Sequence, residues 1–102
     1  MLELRPTCEN CNKPLPPDAT DARICSYECT FCAACVETVL DNVCPNCGGG
    51  FVARPVRPAR NWKGDNFLGK NPAGTKITHR AVDVDAHARF AAALKSIPPH
   101  DR

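Results

Sequence analysis

Eight cysteines carry the chemistry this 102-residue chain can do: Cys8, Cys11, Cys25, Cys29, Cys32, Cys35, Cys44 and Cys47. They fall into four pairs. Three pairs are spaced C-x2-C, and Cys25/Cys29 is spaced C-x3-C. Such spacing lets both thiolates reach one tetrahedral ion while backbone N–H groups turn toward the sulfurs. Four pairs complete two four-cysteine sites with no ligand left over, and two Zn²⁺ ions are the expected cofactors. Cys29-x2-Cys32-x2-Cys35 is similar to part of a bacterial ferredoxin run, so an iron–sulfur redox protein is an alternative reading. The fourth cysteine of that run, three residues on and followed by proline, is missing; Cys44-Pro45 comes too late. A disulfide framework is the third reading. Met1 to Pro6 show no basic segment, apolar run and small-residue cleavage site. A reducing cytoplasm is therefore expected, where paired cysteines hold metal.

Four cysteines fill a tetrahedral ion, whereas catalytic zinc keeps an open position. Eight ligating cysteines also leave no thiol nucleophile. His79, His87 and His100 lie far apart in the last quarter of the chain and are expected at the surface. Gly69 to Lys76 looks like a phosphate loop at first sight. However, Thr75 precedes Lys76, Pro72 interrupts, and no apolar strand leads in. Asp83 and Asp85 fit helix caps better than an acid/base pair. No catalytic residue and no organic cofactor site are expected, and the chain is not read as an enzyme.

The elements that position the cysteines are short. Ten prolines, six glycines and six aromatic residues leave little material for a core, and chains of this kind need a metal or disulfides to fold. Leu2-Glu3-Leu4 alternates like a strand, and Phe51-Val52 is expected to pair with it. Residues 13–21 contain three prolines and form a loop. Arg23 to Tyr27 suits one arm of a hairpin. Cys35 to Leu40 places apolar residues at helical spacing. Trp62 and Phe67 are expected as apolar anchors. A second helix is expected from Asp85 to Ser96, capped by Asp85 (or Asp83) and stopped by Pro98-Pro99, with Phe90, Leu94 and Ile97 along one face. That face either packs on its own domain or meets a partner. The fold class is a small zinc-stabilised α+β domain over residues 1–53, followed by a basic extended arm over 54–80 and a C-terminal helix and tail over 81–102. No apolar run is long enough to cross a membrane.

Charge is unevenly spread. Residues 1–50 have three basic and seven acidic side chains, residues 51–76 six and one, and residues 77–102 four and three. A zinc ion on four thiolates adds two negative charges, so two such ions make the cysteine region strongly acidic. An acidic domain is a poor phosphate binder. The basic arm is therefore expected to lie on its own domain. Nucleic-acid binding through Arg54, Arg57, Arg60, Lys63 and Trp62 is the alternative.

The ligand order, with gaps of 13 and 8 residues around the central C-x3-C-x2-C-x2-C run, resembles the RING finger family. Cys29 stands where that family usually has histidine. The wording of residues 1–60 is similar to a small bacterial family, domain of unknown function 1272. The similarity lies in Leu2-Glu3-Leu4-Arg5-Pro6, Ile24-Cys25-Ser26, Glu28-Cys29-Thr30-Phe31-Cys32 and Cys44-Pro45-Asn46-Cys47-Gly48-Gly49. The resemblance implies a bacterial cytosolic zinc protein and no particular activity. Ubiquitin-ligating RING fingers use an apolar residue where Asn10 stands and a basic residue where Gly48 stands. Pro45 matches their pattern, and Val39 is apolar but small. Ligase activity is not implied.

Three pairings of the cysteine pairs are open. The RING-like cross-brace puts Cys8, Cys11, Cys32 and Cys35 on site 1 and Cys25, Cys29, Cys44 and Cys47 on site 2. A sequential arrangement joins 8/11 with 25/29, and a nested one joins 8/11 with 44/47. The cross-brace is preferred. It closes two long overlapping loops in a chain with little core, whereas nesting crowds one metal's ligands into eleven residues. The expected function is a zinc-binding protein-interaction or structural adaptor module with a protein partner.

Overall fold

A computed structural model describes residues 1–102. Its sheet has three antiparallel strands in the order β2-β1-β3: β1 (Ala22–Ile24), β2 (Thr30–Cys32) and β3 (Val52–Ala53). The β1–β2 hairpin expected around Arg23 is present, with Arg23 opposite Phe31. β3 does not pair with residues 2–4. It pairs with β1, setting Ile24 opposite Val52. The backbone of residues 2–4 is already engaged, because Leu4 O accepts from Gly74 N at 3.0 Å and Leu2 O from Arg57 Nη2 at 2.7 Å.

Helix α1 (Ala33–Cys35) follows β2 directly and widens into a π turn, Val36–Leu40. Its end is closed by two successive left-handed residues, Asp41 (φ 52°) and Asn42 (φ 57°). Asp and Asn tolerate that conformation better than other side chains. Asn42 N donates to Val36 O at 3.1 Å and closes the terminus.

The main apolar cluster has eleven members, of which six are cysteines; Leu15, Ala22, Phe31, Val36 and Leu40 are the rest. Phe31 meets Phe51 edge-on, with ring centroids 5.5 Å apart. Sulfur thus occupies the place where a larger domain would put aliphatic side chains.

Helix α2 (Val84–Ala92) is shorter than the expected 85–96. Asp83 is its cap, accepting from Ala86 N at 3.1 Å. The helix packs on its own chain. Ala91 and His87 are buried on its inner side, and Phe90 and Leu94 approach Gly48. His87 is not at the surface as the sequence suggested. It is 4 % exposed, and its Nε2 lies 3.0 Å from Leu40 O at the end of the π turn. Trp62, expected as an anchor, is 75 % exposed.

The segment after β3 does lie on the cysteine region, though not by charge pairing. Arg54 is 4 % exposed. It donates to three main-chain carbonyls: Arg5 O at 2.9 Å, Leu15 O at 3.1 Å and Pro16 O at 3.0 Å. Arg57 donates to Leu2 O and Asn71 O. The guanidinium fork suits donation to several acceptors at once, and the three carbonyls that Arg54 reaches lie in the N-terminal segment and the proline loop, outside the strands.

Candidate metal centres

Two turns, Cys8–Asn12 and Cys44–Gly48, are built alike. In the first, Asn12 N donates to Cys8 O at 2.9 Å and Cys8 N to Lys13 O at 2.9 Å. In the second, Gly48 N donates to Cys44 O at 2.8 Å and Cys44 N to Gly49 O at 2.8 Å. The residue after the second cysteine is left-handed in both, Asn12 at φ 63° and Gly48 at φ 80°. Asparagine and glycine are the residues that take this conformation readily. The turn at Cys25–Cys29 has one extra residue, and Glu28 absorbs it at φ 66°.

The fold brings Cys8, Cys11, Cys32 and Cys35 together, with all four Sγ atoms within 4.8 Å of one another. Cys25, Cys44 and Cys47 form a second group by the same measure. The groups interleave along the chain, as in the expected cross-brace and unlike the sequential or nested arrangements. They hold four and three sulfurs rather than four and four. Cys29 is set off from the second group, and its Sγ accepts from Asn46 Nδ2 at 3.4 Å. None of the eight cysteines forms a disulfide.

The donor set suits a thiophilic ion. Cys11 Sγ and Cys32 Sγ are 3.8 Å apart, close to the edge of about 3.8 Å of a tetrahedron with metal–sulfur bonds near 2.3 Å. N–H groups already point at the sulfurs: Tyr27 N at Cys25 (3.4 Å), Asn46 N at Cys44 (3.5 Å) and Gly49 N at Cys47 (3.4 Å). These donors stabilise thiolates and fix their orientation. Burial alone pushes the opposite way, lifting the Cys35 thiol from 9.0 to about 12. Burial also raises Cys8, Cys29 and Cys44. Such thiols keep their protons at neutral pH until a cation displaces them.

Two contributors to the site escaped sequence reasoning. Asn10 and Asn46 each precede the second cysteine of a C-x2-C turn. Each sends its Nδ2 to a sulfur supplied by another pair, Asn10 to Cys35 at 3.3 Å and Asn46 to Cys29 at 3.4 Å. The signal was the shared Asn-Cys in Cys8-Glu9-Asn10-Cys11 and Cys44-Pro45-Asn46-Cys47. Glu9, unlike the half-buried Asn10 and the exposed Asn46, is a buried polar group near the cysteines. Its carboxylate accepts from Thr30 N and pairs with Arg5 Nη1 at 2.9 Å, which ties the first turn to β2.

Of the five residues considered for nucleic acid, Arg54 is buried and Arg57 is bonded to carbonyls, while Arg60, Lys63 and Trp62 are exposed. No helix is long and apolar enough to cross a membrane.

The interleaved sulfur groups on a small three-stranded α+β scaffold define a cysteine-clustered domain able to hold metal ions. The family model described as "Protein of unknown function (DUF1272)" matches residues 1–57, and the chain belongs to that family. An uncharacterized protein of Rhizobium meliloti (strain 1021) is 59 % identical over 75 residues, covering 74 % of this chain and 82 % of the relative. No solved structure matches the chain.

Proposed function

We propose that this protein is a RING-like, zinc-stabilised adaptor that binds another protein in the bacterial cytoplasm and catalyses no reaction itself. The observation that carries the reading is the interleaving of the cysteine groups, 8/11/32/35 against 25/44/47. Cys8, Cys11, Cys32 and Cys35 would hold one Zn²⁺. Cys25, Cys44 and Cys47, with Cys29 as fourth ligand, would hold the other. An ion on four thiolates supplies folding free energy rather than a reactive position. The rest of the chain supports this role. Arg54, Arg57 and Glu9 are spent on internal bonds, and the basic arm keeps only part of its charge for a phosphate backbone.

Elemental analysis of protein purified without added metal tests the metal assignment, with two zinc equivalents expected. Brown protein carrying iron would move the reading to the iron–sulfur alternative. Capture of a host protein that persists at high salt supports the adaptor. Binding to nucleic acid that falls steeply with salt would replace it with the basic-arm reading.

A further inference from the structure

Asn10 bonds in two directions at once. Its Nδ2 donates to Cys35 Sγ at 3.3 Å, and its Oδ1 accepts from Val82 N at 2.8 Å. Its carbonyl oxygen lies 3.0 Å from His79 Nε2, and the carbonyl of Glu9 accepts from Arg80 N at 2.7 Å. One knuckle residue therefore joins the first sulfur group to the strap 79–83, which leads into α2. The strap also forms one wall of a cavity of about 640 Å³, faced by Cys29 and Asn46.

The orientation of the Asn10 amide is determined. The Val82 backbone N–H can only donate, so Oδ1 must face it, and the NH₂ group is left for the sulfur. Turned over, the amide would set two donors against each other and an oxygen against a thiolate. Asn46 has the same position in the second knuckle and the same bond to sulfur, and it makes no hydrogen bond to the tail.

We propose that Asn10 is a positioning residue that couples metal binding at the first cysteine group to docking of the 79–83 strap. This rests on the metal reading above. A metal-bound Cys35 thiolate accepts a stronger, charge-assisted N–H···S bond than a thiol does. Polarisation through the amide then strengthens Oδ1···H–N of Val82, since linked hydrogen bonds reinforce each other. Coupling runs both ways, so a docked strap tightens the metal. Asn10 makes the strap, and the cavity wall it forms, dependent on metal in a way that Asn46 does not.

The test uses the full chain loaded with cobalt(II), in the wild type and in N10D, N10A and N46A. Asp keeps the acceptor for Val82 but has no donor for sulfur. N10D is expected to lower affinity at one of two cobalt sites by about 10–100-fold, the usual effect of losing a partner that orients a ligand. It should shift the thiolate-to-cobalt charge-transfer band of that site alone while retaining slow amide exchange at Val82. N10A should lose both affinity and Val82 protection. N46A should weaken the other site with Val82 unchanged. If N10A does not fold, N10D against N46A carries the comparison. A wild type that binds two cobalt ions with N10D equally tight overturns the role of Asn10 and leaves the metal sites standing. A wild type that takes up no cobalt overturns the metal reading and this proposal with it.

Discussion

Asn10 and Asn46 hold equivalent places in two turns that share no other side chain but their cysteines. Each is the residue before the second cysteine, and each donates Nδ2 to a sulfur from a different pair, at 3.3 and 3.4 Å. The equivalence extends to the backbone, where the i+4 amide of each turn returns to the carbonyl of the first cysteine. It also bears on Cys29. Cys35 belongs to the first sulfur group and is the sulfur Asn10 addresses. Cys29, set off from the second group, is the one Asn46 addresses. The parallel supports Cys29 as a member of the second centre.

Metal removal should unfold the cysteine region. Six of the eleven residues in its main cluster are cysteines, and without an ion their burial leaves few aliphatic contacts to replace it. A strong chelator should release two zinc equivalents and collapse the dispersion of amide resonances over residues 1–53. Near-native dispersion after complete removal would show that the apolar cluster suffices alone.

Acidity should weaken metal binding, and alkali should weaken the metal-free fold. Burial raises Cys8, Cys29 and Cys44, and lifts Cys35 from 9.0 to about 12. Metal must displace these protons, so zinc affinity rises with pH through the neutral range. In the metal-free fold the sign is opposite. A thiol whose folded pKa lies above its unfolded value contributes stability below the unfolded value, and that contribution is lost as pH rises toward the folded value. Zinc competition titrations at about pH 6 and about pH 8, both below the ordinary thiol range, check the first half. Any folded metal-free form should melt at lower temperature as pH is raised from about 8 toward 11. A zinc affinity independent of pH would contradict the displacement of protons.

Arg54→Ala should destabilise the loaded protein by about 2–4 kcal/mol, because three carbonyls lose one shared donor and two of them, Arg5 O and Leu15 O, lose their bond partner, while Pro16 O keeps Ala19 N. Arg54→Lys should recover only part of this, since an ammonium lacks the planar fork. Arg60→Ala, at an exposed position of the same arm, should be near neutral. Denaturant melts of the three variants provide the comparison, and equal midpoints for Arg54→Ala and Arg60→Ala would contradict the buried role.

The cysteine pairs, the hairpin at β1–β2 and a carboxylate cap ahead of the second helix were legible in the sequence because each is a local rule, though that rule favours Asp85 and the structure uses Asp83. Two-residue spacing, β-favouring residues and a carboxylate three residues ahead of an amide all act within one turn. Other features depended on distant neighbours. Strands of two or three residues carry no periodicity, so the pairing of β3 with β1 rather than residues 2–4 could not be read from alternation. Arg54 sits in a run of basic residues that composition assigns to solvent, and carbonyls of the N-terminal segment and the proline loop, distant in sequence, hold it inside. His87 follows a similar logic: its ring meets the Leu40 carbonyl at a helix end, beside the Val43 N–H that this carbonyl also accepts. The likeness of the two knuckles hides behind different residues, Asn12-Lys13 and Gly48-Gly49, that meet one backbone requirement.

His87→Ala should loosen α2 from the cysteine region. The variant removes a buried ring and its bond to Leu40 O, which keeps only the bond from Val43 N, and a cost of about 2–3 kcal/mol follows from the cavity and the lost hydrogen bond together. Amide exchange over residues 84–92 should quicken first, with the sheet less affected. His100→Ala, exposed beyond the helix, should leave both unchanged.

Gly48→Ala tests the point where the second knuckle and the helix meet. Gly48 is left-handed at φ 80°, and a Cβ there would stand 3.3 Å from Leu94 Cδ1 and 3.5 Å from Phe90 Cζ. Backbone strain costs about 1 kcal/mol at such a position. The crowded Leu94 must also shift, so the total should reach about 1–3 kcal/mol. Gly48→Asn should be milder in the backbone, because Asn12 holds the equivalent place in the first knuckle at φ 63°, but it keeps the clash with Leu94. Combining each with Leu94→Ala separates the two contributions. The smaller residue should relieve part of the cost of Gly48→Ala and more of that of Gly48→Asn. Thermal melts of the zinc-loaded proteins read the difference. Gly48→Ala as stable as wild type would mean that α2 does not pack on the knuckle as described.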